Sequence, residues 1–108
     1  MVAITEDSDI VTFINVFTVA PEDQRRLVDV LVEATRAVMR KQPGFVSANI
    51  HRSLDGTRVT NYAQWRSREA FEAMFGTPQA IEHMKEPERI SEKFKPHLYE
   101  VSFVDEVS

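Results

Sequence analysis

Two asparagines stand out, because each interrupts a run of residues that otherwise reads as apolar strand. Asn15 lies between Phe13 and Phe17, with Val11 and Val19 completing the same face of an extended segment. Asn61 repeats the pattern between Val59 and Ala63, and Trp65 follows on its face about 13 Å along the strand. A buried amide that finds no hydrogen-bond partner costs about 1–3 kcal/mol. Two amides therefore either satisfy each other inside a core, or line an aromatic cleft and present donors and acceptors to a ligand. The residue types leave both readings open. Phe13, Phe17 and Ala63 would flank the amides, with small Ala63 leaving room beside Trp65. Phe71, Met74, Phe75, Ile81 and Met84 read as the apolar stripe of a helical segment or as the adaptable lining of a lid over a flat aromatic ligand. The histidines offer less. His51 falls on the strand face opposite Asn61, His97 follows Pro96, and His83 with Glu86 has helical i, i+3 spacing without an evident third metal ligand. No metal site is expected, and the chain carries no glycine-rich phosphate loop, nucleophile elbow or Ser-His-Asp arrangement.

Composition narrows the chemistry further. The 108 residues suffice for one domain, with 43% hydrophobic and 28% charged residues. Thirteen basic against seventeen acidic side chains give a net charge of −4, which argues against nucleic acid or an anionic membrane as partner. With no cysteine, thiol nucleophiles, disulfides and thiolate metal sites are excluded. No apolar run approaches membrane-spanning length. Residues 1–9 lack the basic and apolar regions of a signal peptide, so a flexible leader on a cytoplasmic domain is expected.

The elements that must position these residues follow from patterning. Ile10 to Val19 is rich in β-branched and aromatic residues, as a strand requires. Pro21 opens an amphipathic helix to about residue 42, on Leu27, Leu31, Ala34 and Val38, which Pro43-Gly44 stops. Phe45–Ser53 and Arg58–Trp65 flank Leu54-Asp55-Gly56-Thr57, and a two-residue Asp-Gly turn would pair Ile50 with Asn61 and Ala48 with Ala63. Ser67 caps a second helix, Gly76-Thr77-Pro78 breaks and restarts it, Pro87 breaks or kinks the continuation, and Leu98–Val104 forms a last strand. The order is strand, helix, strand, strand, helix, strand: an α+β ferredoxin-like sandwich over residues 10–105, with 106–108 as tail. Its first and third strands are neighbours, which brings the two asparagines together. Ile10, Ile14, Val16, Phe45, Tyr62, Tyr99, Val101 and Phe103 would lie bare on the other sheet face, so a homodimer packed sheet against sheet is expected.

The runs Phe13–Val19 (FINVFTV), Gln42–Phe45 (QPGF) and Asn61–Trp65 (NYAQW) resemble the antibiotic biosynthesis monooxygenase family over about residues 10–105. Asn15, Asn61 and Trp65 together resemble its cofactor-free anthrone oxygenases. The resemblance implies a dimeric α+β barrel with one cleft per protomer, catalytic roles for those three residues, and a small aromatic polyketide as substrate. It implies insertion of one oxygen atom from O2 to give a quinone and water, with neither metal nor flavin. Some members place a tyrosine where this chain has Phe71. Other relatives cleave polyketide rings with reduced flavin, which stands as the alternative. Haem-degrading relatives use a tryptophan and a histidine on the second helix, where this chain has Met74 and a displaced His83. A binding dimer without chemistry stays open as well.

Overall fold

A computed structural model describes residues 1–6 and 8–107. Asp7 of the leader and Ser108 of the tail lie outside the described residues. Strand β1 (Val11–Thr18) is followed by a 3-10 turn at Pro21–Asp23 and helix α1 (Gln24–Ala37). Strands β2 (Phe45–Arg52) and β3 (Arg58–Trp65) form the hairpin, then come helices α2 (Arg68–Phe75) and α3 (Pro78–Ile90) and strand β4 (Lys93–Tyr99). The sheet is antiparallel in the order β2-β3-β1-β4, so β1 and β3 are central, as the ferredoxin-like topology requires.

Burial alternates along β1 as a one-sided strand demands, with Phe13, Asn15 and Phe17 turned toward the helices and Ile14, Val16 and Thr18 half-buried on the outer face. Two apolar clusters fill the helix side. Phe17, Val19, Leu27, Leu31 and Val59 form one, under α1. Phe13, Ala63, Trp65, Phe71, Met74 and Ala80 form the other, under α2 and the start of α3. The Ser67 and Thr77 hydroxyls accept from the N–H groups of Ala70 and Ala80, capping α2 and α3 as their sequence positions predict.

Four departures from the sequence reading shape the site. Val38 leaves helical geometry (φ −129°, ψ −58°), so the first helix ends at Ala37 and Met39–Lys41 form a separate 3-10 turn. Strand β2 carries a bulge between Phe45 and Ser47, which sets Phe45 opposite Trp65 and carries its ring to the helix side, away from the outer face where strict alternation puts it. Helix α3 runs through Pro87, whose ring is fully buried and offsets the lost N–H with packing. The last strand is Lys93–Tyr99 rather than Leu98–Val104. Pro96 lies within it, which an edge strand tolerates, and Val101 and Phe103 lie beyond it.

The hairpin keeps the expected register, Ile50 to Asn61 and Ala48 to Ala63, but closes differently. Ser53 and Arg58 form the last bonded pair, and the Gly56 N–H donates to the Ser53 carbonyl. The connection is thus the four residues Leu54–Thr57 rather than a two-residue turn. Asp55 organises it, accepting from the Ser53 hydroxyl at 2.7 Å, the Thr57 hydroxyl at 2.7 Å and the Thr57 N–H at 3.0 Å. Those bonds, the Thr57 hydroxyl foremost, lower its pKa from 3.8 to about 2. A carboxyl depressed on folding stabilises above its unfolded pKa and loses that effect as pH falls. Asp55→Ala is therefore expected to lower the melting temperature by a constant amount above about pH 4, with the deficit vanishing as pH falls through about 2. Melting curves of both proteins across that range test it.

The outer sheet face is knit together by polar side chains alongside its apolar ones. The Ser47 hydroxyl donates to Gln64, Asn49 donates to the Ser47 hydroxyl and the Tyr62 carbonyl, and the Gln64 amide donates to the Ala3 carbonyl. The leader thus crosses this face and buries Gln64. Among the described residues, no helix is long and apolar enough to cross a membrane.

Candidate functional site

Asn15 and Asn61 are direct cross-strand partners in the β1–β3 register. Antiparallel pairs hold their side chains about 5 Å apart at Cβ, so the two amides could have met. They do not bond. The Oδ1 atom of each is buried without a hydrogen-bond partner among the described residues. Asn15 is fully enclosed, whereas Asn61 keeps partial exposure because it borders an open space.

That space is a cavity of about 200 Å³ between the sheet and the helices. Its floor is Phe13, Phe45, Ala48, Asn61, Ala63 and Trp65. Leu31, Ala34, Thr35 and Met39 wall it on the α1 side. Met74 and Phe75 from the end of α2, and Ala80, Ile81 and Met84 from α3, close the opposite side. Lys85 and Glu88 are its charged lining residues, both exposed, and the Lys85 ammonium sits 3.0 Å from Glu82. The Thr35 hydroxyl is spent on the Leu31 carbonyl, so among the described lining residues Asn61 and the Trp65 indole N–H are the uncharged polar groups left to serve a ligand.

Trp65 is 2% exposed and held edge-on by two rings, Phe45 at 5.5 Å and Phe71 at 6.1 Å. This packing sets its orientation, since near-perpendicular aromatic pairs are favourable and geometrically specific. Phe71 in turn stacks against Phe13 at 4.9 Å. The floor is therefore a rigid aromatic plate carrying one amide.

Of the residues singled out from sequence, the structure brings Asn61, Trp65, Phe13, Ala63, Met74, Phe75 and Met84 to one cavity. Three lie elsewhere. Asn15 lies behind Asn61 and off the lining. Phe71 backs the plate from the far side of Phe13. Phe17 is 0% exposed in the α1 cluster, where it touches core and no open space. Sequence reasoning missed Met39 and Phe45. The break at Val38 turns Met39 inward, and the bulge turns Phe45 inward; neither leaves a mark in hydrophobic periodicity. The histidines stand outside the cavity. The ring of His83 bonds the Gln79 carbonyl, and Glu86 binds Arg26 and Arg89, whose guanidinium beside it lowers the carboxyl pKa. Among the described residues, no group of three His, Asp or Glu is placed to hold a metal.

Known proteins resemble the chain in sequence and in fold. The model of the family described as antibiotic biosynthesis monooxygenase matches residues 10–86. The chain is 46% identical over 102 residues to the tetracenomycin-F1 monooxygenase of Streptomyces glaucescens, covering 94% of this chain and 90% of that one. SnoaB, a cofactor-independent oxygenase from Streptomyces nogalater, superposes with a TM-score of 0.77 at 27% identity, over 90% of this chain and 97% of that one. A monooxygenase from the gene ActVA-Orf6 of Streptomyces coelicolor, solved with the ligand nanaomycin D, superposes with a TM-score of 0.79 at 28% identity over 94% of each.

Proposed function

The chain belongs to the antibiotic biosynthesis monooxygenase family, and from that premise we propose that it oxidises a polycyclic anthrone-type phenol with O2, giving a quinone and water without metal or flavin. The observation that carries this reading is an apolar cavity floored by Trp65 and lined by Asn61, whose buried Oδ1 has no hydrogen-bond partner among the described residues, with the equally unpartnered Asn15 directly behind it. Unsatisfied buried groups are rare in native proteins and need a reason. A ligand with phenolic hydroxyls and a carbonyl supplies one.

The chemistry balances with the substrate and O2 alone. The anthrone methylene, flanked by aryl rings and conjugated to a carbonyl, loses a proton to give a delocalised anion whose charge rests on that oxygen. The anion passes one electron to O2, and the resulting pair recombines through carbon and oxygen to a peroxide anion, which the proton released in the first step converts to the hydroperoxide. Loss of water leaves the new carbonyl: one atom of O2 enters the product and the other leaves as water. The protein's task is to stabilise the anion and keep the radical pair together. An asparagine side chain has two N–H donors and one acceptor, so Asn61 can donate to the oxyanion or accept from a neighbouring phenol. Asn15, its cross-strand neighbour, makes no hydrogen bond to that amide and acts as a positioning residue by packing behind it. The aromatic plate and the methionines exclude water, which strengthens each polar contact and confines the pair.

Incubating metal-free protein with anthrone and O2 tests the proposal: quinone should form with no additive. A requirement for reduced flavin would replace it with the flavin-dependent reading. Trp65→Phe keeps an aromatic wall but removes the indole N–H. It is expected to bind product quinone as the unaltered protein does while turning over about tenfold more slowly, the size of one lost hydrogen bond.

We further propose that two copies pair through the outer sheet face around Ile14, Val16 and Tyr62. Val16 is half-buried and lies opposite Lys95. In an isolated protomer, Val16→Asp would sit acceptably beside that ammonium. In a sheet-to-sheet dimer it takes that ammonium and its own charge out of water together, a desolvation their attraction does not fully offset, so light scattering should find monomer or aggregate. An unchanged dimer would exclude this face.

A further inference from the structure

The cavity holds about 200 Å³, below the ~300–1,000 Å³ range of pockets that enclose drug-sized ligands. The function proposed above asks it to receive several fused rings. Two of its lining residues, Phe13 and Phe75, also wall a second hollow of about 340 Å³ at the outer side of α2, facing β4. Phe71, Pro96 and Leu98 complete the apolar surface of that hollow, with Glu72 and His97 as its polar members.

The shared partition has one buried and one exposed half. Phe13 is 7% exposed, clamped by Phe71 at 4.9 Å. Phe75 is 43% exposed and is the last residue of α2, immediately before the Gly76-Thr77 break between the two helices. Its ring packs on Phe71 at 5.2 Å, so a change of rotamer gives up that one contact while the Phe13–Phe71 and Trp65–Phe71 packing stays in place. Moving that one ring would join the two spaces.

We propose that the β4-side hollow is a second aromatic subsite, continuous with the first once Phe75 swings aside, that takes the outer rings of a linear polycyclic phenol. Phe75 then sets how many fused rings the enzyme accepts. The hollow suits that occupant: its walls are ring faces and aliphatic carbon, which stack on or pack against planar arenes. Glu72 and His97, both exposed, stand where peripheral hydroxyls would emerge. This inference rests on the proposed quinone-forming function for its ligand class, but makes a claim about size that the function does not.

Trp65 is the chain's single tryptophan and lies on the cavity floor, so its fluorescence reports occupancy of the first space. Titration with quinones of two, three and four linear rings gives the affinity ratio between long and short ligands. Leu98→Phe fills the hollow and is expected to lower the four-ring to two-ring ratio about tenfold, as loss of one ring contact would. Phe75→Ala removes the partition and is expected to raise that ratio several-fold. A ratio unmoved by either substitution overturns the subsite. The function can fail separately: quinones that bind with the expected ratios, in a protein that does not oxidise anthrone, support the subsite and refute the chemistry. No quenching by any of the three quinones overturns both.

Discussion

Asn61→Ala is expected to slow quinone formation on the order of 10²–10³-fold, the cost of losing one preorganised donor to a developing oxyanion, while melting no lower than the unaltered protein. The two halves of that result have separate origins. Were Asn61 a satisfied core amide, its removal would break a bond and strand a partner. Among the described residues its Oδ1 has no partner, and neither does that of Asn15. Deleting an unpaired buried polar group relieves about 1–3 kcal/mol of desolvation, against the loss of a small packed side chain at the edge of an existing cavity. Asn15→Ala should act in the same direction on turnover with a smaller effect, because it works through Asn61. Turnover measured beside melting temperature decides the matter. Variants that melt lower yet oxidise anthrone at the parental rate would return both amides to the core.

The second large effect is on stability, at Gly44. Its φ is +84°, and a Cβ there would lie 2.4 Å from the Ala70 Cβ on the first turn of α2. Gly44→Ala therefore meets backbone strain and a clash with a short side chain that cannot swing away, together about 2–6 kcal/mol. The loss should appear as a fall in melting temperature of roughly 10 °C or more. Gly56 offers the control. Its φ is +81° but the nearest atom is the Pro21 Cβ at 3.8 Å, so Gly56→Ala should cost the strain alone. Equal losses at the two sites would mean that the contact with Ala70 is relieved cheaply. Turnover should suffer at Gly44 beyond what stability explains, because the Gly44 carbonyl accepts the Arg66 N–H at 2.8 Å beside the Phe45–Trp65 pair.

The meeting of the two asparagines was legible from sequence for a definite reason. The Asp-Gly turn and the side-chain period of two fix β2 on β3, and the element order makes β1 the neighbour of β3. Together they bring Asn61 and Asn15 to the helix side, whichever way the turn closes. What stayed hidden depends on single residues out of step with their period. One extra residue at the β2 bulge reverses Phe45, and one non-helical residue, Val38, redirects Met39. Phe17 shares a strand face with Phe13 and Asn15, so periodicity predicts the same environment for all three. Only the placement of α1 above Phe17 and of the cavity beside Phe13 tells them apart. Pro96 misleads in the opposite sense, because a proline that would forbid a central strand is acceptable in a marginal one.

That proline bears on how the protein behaves at high concentration. Strand β4 is an open border of the sheet, and such borders invite further chains to add on, one after another, into fibres. Pro96 has no N–H to offer an incoming strand, and Lys93 and Lys95, both exposed on the same short strand, would set like charges against each other in any stacked copy. The border is thus guarded by the residues that made it hard to recognise. Replacing Pro96 with valine would make β4 a better strand by propensity and a worse one for a crowded cell.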